Sequence, residues 1–181
     1  MDVNEIVEII QSDQDYAELT KLYNIYPDRP TSCKYGVLDF INDARFALPA
    51  FEISNRWRSM QKEIFQYMVD EPNPWQPSSR AHHAVDLIFL FGGVDLSFNQ
   101  SATEVATNFR DTWIDFCHGR NPWSSSNIRA FGPHGDCEDL DLKRYARRRR
   151  LNCFKFLRKL GHSKYTSLSG RLGAGRISLL N

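Results

Sequence analysis

Apolar residues recur at helical spacing from the first turn: Val3, Ile6, Val7 and Ile10 share one face, with Glu5 and Glu8 opposite, which predicts a short amphipathic helix. Tyr16, Leu19, Leu22 and Tyr23 repeat the pattern. Ser12 or Asp13 can cap the free amides of this second helix, and Pro27 and Pro30 end it. A longer helix is expected from Phe40 to Trp57, kinked or divided by Pro49, which lacks an N–H and clashes with the preceding turn. Ile64 to Val69 reads differently. It is short, aromatic and nearly continuously apolar, bounded by Pro72-Asn73-Pro74, as in a strand covered on both faces of a parallel sheet. A buried helix turn is the alternative.

Further on, Ser101-Ala-Thr-Glu104 has the spacing of a capping box ahead of a helix with Phe109, Trp113 and Phe116 on one face, closed by Gly119 and Pro122. A last helix is expected from about Leu142 to Leu160, with Tyr145, Leu151, Phe154, Leu157 and Leu160 as its stripe, Arg147 to Arg150 among them and Gly161 as its stop. No repeat or biased segment interrupts the chain. The expectation is one partial domain over residues 1–181 whose basic helix and tail occupy 143–181.

Composition adds a core and excludes a span. Hydrophobic residues make up 41% of the 181, enough for a folded domain, yet the longest apolar run is Leu87 to Phe91, far short of a bilayer crossing. The acidic start Met-Asp-Val-Asn-Glu is unlike a signal peptide, so a soluble, untargeted chain is expected, with the compartment open. Cys33, Cys117, Cys137 and Cys153 lie far apart with no C-x-x-C pair, the usage of buried thiols. The net charge of +1 conceals a division: all 22 acidic residues lie at or before Asp141, and 12 of the 23 basic ones lie from Lys143 onward. Such a basic end suits nucleic acid or an acidic membrane, and equally an acidic body of its own.

Candidate chemistry concentrates in Arg80-Ala-His-His-Ala-Val-Asp-Leu-Ile-Phe-Leu-Phe-Gly92, soon after the expected strand. Loops at the carboxyl ends of parallel strands hold the reacting groups of α/β enzymes, and histidine can transfer protons near neutral pH. Taken bare, adjacent histidines are more often a loop or helix-start feature. The segment from His83 to Gly92, however, is similar to the H-G/A-x-E/D-L-x-F-x-F-G stretch around the catalytic histidine of type-B carboxylesterases and cholinesterases. Phe40 to Pro49 resembles that family's helix before the strand, and Phe65 to Asp70 its strand. Trp113-Ile-Asp-Phe-Cys-His-Gly119-Arg-Asn-Pro-Trp123 resembles its W-x-x-F-x-x-G-x-P-x-W turn, and the ending through Arg147-Arg-Arg and Ala174 to Asn181 resembles fungal members.

The resemblance implies the C-terminal portion of an α/β-hydrolase fold: α/β, mostly helical, with one or a few strands and an incomplete sheet. It implies His83 as the catalytic histidine, with His82 a neighbour without chemistry. The family's reaction needs a serine whose proton the histidine takes, an acid that orients the ring, and an oxyanion hole. The nucleophile belongs in a G-x-S-x-G elbow, and the 181 residues contain no such pentapeptide. The resemblance places elbow, oxyanion glycines and acid upstream of this segment, so the chain is expected to be inactive alone. Asp86 and Asp95 read as solvated carboxylates rather than as the missing acid.

Two other readings compete. Cys117-His118 and His134-Gly-Asp-Cys137 offer zinc donors at unfamiliar spacing, and Cys117 is expected instead to pack a helix; no metal or cofactor is expected. Arg147 to Arg150 could form a nucleic-acid patch, against the solvated face of a helix. The expected partners are a small carboxylic ester in the complete family enzyme and other copies of the chain, through open sheet edges and apolar faces, with no nucleic acid. A non-catalytic, hydrolase-like binding protein is the remaining alternative.

Overall fold

The computed structural model describes residues 2–12 and 14–174. Asp13 and most of the fungal-type ending at 174–181 lie outside the described residues. The chain divides into two compact units: residues up to Arg56 together with those from Arg150 on, and the continuous stretch Trp57–Arg149.

The first unit is helical. In α1 (Val3–Gln11) the Asp2 carboxylate accepts from the Glu5 N–H at 2.9 Å and Glu5 accepts from the Asp2 N–H at 2.7 Å, a reciprocal cap that frees Ile6 and Ile10 to be fully buried. Helix α2 (Tyr16–Tyr23) starts at Asp15 rather than at Ser12, which instead ends α1. Asn24, in the left-handed conformation, stops α2, and Pro30 opens α3 (Pro30–Asn42), because a proline at the first helical position forfeits no internal bond. Gly36 lets α3 approach α2: a Cβ there would run into the Tyr23 carbonyl.

The expected effect of Pro49 takes a specific form. Asp43–Ala47 widens into a π turn in which the Leu48 N–H reaches back to the Asp43 carbonyl, and α4 (Leu48–Ser59) continues beyond it. Pro49 has no N–H for the carbonyl four residues back, so the wider register absorbs the missing bond. Asp43 is buried in that turn and accepts from the Tyr23 hydroxyl at 3.1 Å; burial and then the Asp43 charge push the phenol above its ordinary range.

The expected single helix from Leu142 to Leu160 is broken. Arg150 sits in the left-handed region between α7 (Leu142–Arg148) and α8 (Leu151–Leu160), so Tyr145 packs in the second unit while Phe154 and Leu157 are buried in the first. A further helix, α9 (His162–Gly173), follows Gly161. The basic end is paired within its own units: Arg150 with Asp39 (3.1 Å), Arg158 with Glu52 (2.6 Å), Lys159 with Glu18 (2.7 Å) and Lys164 with Asp15 (2.6 Å). Of the two sources weighed for its partners, acidic residues of the same chain supply these.

The second unit carries the sheet, three strands in the order β1-β2-β3. Strand β1 (Gln66–Val69), shorter than the apolar run suggested, pairs in parallel with β2 (Ile128–Phe131), Gln66 opposite Ile128 and Val69 opposite Phe131. Parallel pairing requires a crossover, supplied by α5 (Val85–Phe91) and α6 (Gln100–Cys117). Strand β3 (Cys137–Leu140) returns antiparallel to β2, and Arg129 faces Asp139 across the pair at 2.9 Å. Val85, Phe89, Val105, Phe109 and Phe131 form the core of this unit, with the Phe109 and Phe131 rings edge to face at 4.6 Å and Tyr67 packed against both. Asn99, not Ser101, caps α6, accepting from the Ala102 N–H at 3.0 Å, while Glu104 is held by Gln100 at 2.8 Å. The architecture is the mostly helical, incomplete-sheet α/β arrangement read from the sequence. Among the described residues no helix is long and apolar enough to cross a membrane.

Candidate active site

Strand β1 ends at Val69, and its carboxyl end feeds a loop that returns at α5. Asp70 and Glu71 both donate their N–H to the Phe131 carbonyl (2.7 and 3.2 Å), extending the strand's hold by two residues. Arg148 then clamps this exit: its Nε donates to Asp70 at 2.6 Å, one terminal nitrogen donates to Glu138 at 3.0 Å, and the other donates to the Gly132 carbonyl. Glu71 is buried and accepts from the Gly135 N–H at 3.0 Å.

The loop closes on itself through Asn73, whose N–H donates to the Arg80 carbonyl at 3.1 Å and whose side-chain oxygen accepts from Trp75 N–H (2.9 Å) and Gln76 N–H (3.3 Å). His82 and His83 follow in an exposed turn immediately before α5. The His82 ring lies 3.0 Å from the Asn73 amide nitrogen on one side and 3.0 Å from the His83 carbonyl on the other, and the His82 carbonyl accepts from Val85 N–H at 3.1 Å. Ala84 takes a left-handed conformation, φ 66°, which turns the chain from the histidine into the helix.

Helix α5 is short, and its motif residues have separate duties. Val85 and Phe89, one turn apart, are buried; Leu87 and Phe91 point outward, Phe91 being 75% exposed. Gly92 ends the helix at φ 61°, and a Cβ there would meet the Arg110 guanidinium. Asp86 lies in the first turn, where a carboxylate suits the amino end, and its charge adds to burial in holding the Tyr67 phenol above its usual range. Asp95 is exposed in the following loop, its carboxyl held below the usual range by the Ser97 N–H and hydroxyl. Trp75 and Phe98, both more than half exposed, meet as tilted rings 5.8 Å apart. Neither these two aromatics nor Asn73 stood out in the sequence, since each acquires its neighbour only through loop closure.

The other donors stay apart. Cys117 is exposed at the end of α6, contrary to its expected packing role, because the helix presents that position to solvent in its last turn; the His118 ring reaches the Ile114 carbonyl at 2.8 Å. His134 lies in the β2–β3 turn, and Cys137 on β3, where burial pushes its thiol up. Among the described residues no three His, Cys, Asp or Glu side chains gather as metal ligands. Cys33 and Cys153 are buried free thiols.

The sequence model of the carboxylesterase family matches residues 3–143, which takes in the strand, the histidine turn and both crossover helices. The chain belongs to the carboxylesterase family. This carboxylesterase-family chain is 26% identical over 160 residues to Lipase 3 of Yarrowia lipolytica, covering 86% of its own length and 31% of that lipase. It is 24% identical over 156 residues to Lipase 1 of the same yeast, covering 86% and 32%. It therefore spans about a third of the length of the curated relatives it matches. No solved structure matches it.

Proposed function

We propose that this chain supplies the histidine of a serine carboxylic-ester hydrolase, His83, and that the 181 residues do not turn over esters by themselves. The observation that carries the reading is the placement of His83 in an exposed turn beyond the carboxyl end of a parallel strand, at the start of the motif H-A-V-D-L-I-F-L-F-G. In the reaction inferred, His83 takes the proton of a serine hydroxyl as it attacks the ester carbonyl and returns it to the departing alkoxide, a carboxylate orienting the ring. Serine, acid and oxyanion donors would come from the portion of the family domain that the relatives carry and these residues do not match. The substrate class is a small carboxylic ester, in keeping with the family and with relatives named as lipases.

A chimaera tests this: residues 3–143 replacing the matching stretch of Yarrowia Lipase 3, assayed on a p-nitrophenyl ester. Turnover that falls by roughly 1,000-fold or more in His83→Ala is expected, the scale of removing a triad member. A folded chimaera that is inactive, or one whose turnover is unchanged by His83→Ala, overturns the assignment. The unfused chain is expected to show buffer-level hydrolysis, because a general base without nucleophile and oxyanion donors lacks most of the barrier lowering.

A second reading, a hydrolase-like binding protein without catalysis, is favoured by one observation: Trp75, Leu87, Phe91 and Phe98 are exposed apolar side chains in the histidine loop and the segments after it. A basic nucleic-acid surface has less support, since Arg148 and Arg150 of the arginine run are taken up by Asp70, Glu138 and Asp39.

A further inference from the structure

His82 has no counterpart in the chemistry assigned to His83, yet its ring joins two parts of the loop. The Asn73 side-chain oxygen is committed to two backbone N–H groups, those of Trp75 and Gln76, so its amide nitrogen is the atom turned toward His82, at 3.0 Å from Nε2. An amide nitrogen only donates. His82 Nε2 must therefore accept, which leaves the proton of the neutral ring on Nδ1. That nitrogen lies 3.0 Å from the His83 carbonyl oxygen, the acceptor it needs.

We propose that His82 is a positioning residue for His83: as the Nδ1–H tautomer it passes a hydrogen-bond chain from the Asn73 amide to the His83 peptide, fixing the plane from which the His83 side chain departs. The inference rests on the reading of His83 as the catalytic histidine. The turn needs such a tie. His83 is exposed, and the next residue, Ala84, is held at φ 66°, a conformation an alanine adopts only when its surroundings impose it. On one side the His82 carbonyl holds Val85 at the helix start; on the other its ring holds the His83 carbonyl, so each of the two peptide planes that flank the His83 Cα has a hydrogen bond. Asn73 is anchored in turn by the Arg80 carbonyl, which ties the chain to the part of the loop nearest the strand. A proton-transferring ring displaced by a fraction of an ångström loses much of its effect, so fixing this peptide matters to the reaction even though His82 touches no substrate.

Nuclear magnetic resonance on the full 181-residue chain decides the point. Long-range proton–nitrogen correlation at a pH where the rings are neutral should show His82 as the Nδ1–H tautomer, the minor form of free histidine, and Asn73→Asp, which places an acceptor before Nε2, should switch it to Nε2–H. His82→Leu should move the His83 carbonyl carbon resonance and lower the order of the His83 ring and the Ala84 amide. His82→Asn, which keeps a donor beside that carbonyl, should restore both, with α6 amides unchanged throughout. A wild-type His82 in the Nε2–H form, or a His82→Leu chain whose His83 resonances do not move, overturns the proposal. If the Leu variant fails to fold, the wild-type tautomer and its switch in Asn73→Asp still decide. None of these readouts uses catalysis: an inactive chimaera with the tie intact would sink the catalytic reading alone, and an active one with the wrong tautomer would sink the tie alone.

Discussion

Replacing Arg148 with methionine keeps the apolar stem and removes three charge-assisted hydrogen bonds, to Asp70, Glu138 and the Gly132 carbonyl. The Arg148 and Asp70 side chains are 22% and 24% exposed, between the surface pairs that contribute under 1 kcal/mol and the buried ones whose breakage costs several. Glu138, at 39%, is screened more. Counting the Asp70 bond at about 1.5 kcal/mol and the other two together at about 1, the loss is about 2–3 kcal/mol. Trp75, Trp113 and Trp123 lie in the body of the Trp57–Arg149 unit and Trp57 at its edge on α4, so tryptophan fluorescence in urea follows chiefly that unit. With a urea dependence of about 2 kcal/mol per molar, Arg148→Met should lower the midpoint by about 1–1.5 M. A double-mutant cycle with Asp70→Asn should return a coupling of about 1 kcal/mol or more. A midpoint shift below about 0.2 M would show that solvent replaces Arg148 at little cost and refute the clamp.

The Lys164 ammonium, bonded at 2.6 Å, holds the Asp15 carboxyl below its ordinary 3.8. Asp15 therefore stays ionised to lower pH when folded than when unfolded; its contribution is whole above the unfolded value and is lost as pH falls through the folded one. The chain, followed by circular dichroism, should lose stability as pH drops below about 4, and Lys164→Met should remove part of that loss; identical pH profiles would refute the pairing. Phe91, 75% exposed one turn after the half-exposed Leu87, should promote hydrophobic-dye binding and self-association of the isolated chain. Phe91→Ser should reduce both by severalfold without lowering the melting temperature, and a wild-type chain that stays monomeric and binds no dye would refute this.

Where local chemistry decides, the sequence was readable: the α1 stripe, the disturbance at Pro49, a strand before the histidines and the motif from His83 to Gly92. Where the outcome depends on residues far along the chain, it was not. Strand β3 contains Glu138 and Asp139 and reads as polar; it is a strand because Arg129 meets Asp139 across the pair and Arg148 reaches Glu138. The stripe from Tyr145 to Leu160 is helical in period, and only the left-handed Arg150 sends its two halves into different units. Pro30, read as a stop, instead opens α3, a role that depends on the approach of α3 to α2 at Gly36. At the site, His83 was legible as a motif position, whereas the tie from Asn73 through His82 depends on two segments nine residues apart closing to 3.0 Å.

The order in which the chain is made bears unequally on the two units. The Trp57–Arg149 stretch is continuous, so a ribosome delivers the residues of that unit in one piece. The other unit is delivered in two instalments: Ile6, Ile10, Phe40 and Phe51 emerge early, while Phe154, Leu157, Leu168 and Leu172, among the buried residues that complete their core, come only after the whole intervening unit. At ordinary elongation rates the early helices wait on the order of 5 to 20 seconds with apolar faces uncovered, long compared with helix formation and with collapse. That interval is an opening for a holding chaperone, and for aggregation where none is present. Slowing translation within residues 57–149 should therefore lower the yield of folded chain, whereas slowing it within the first helices should not.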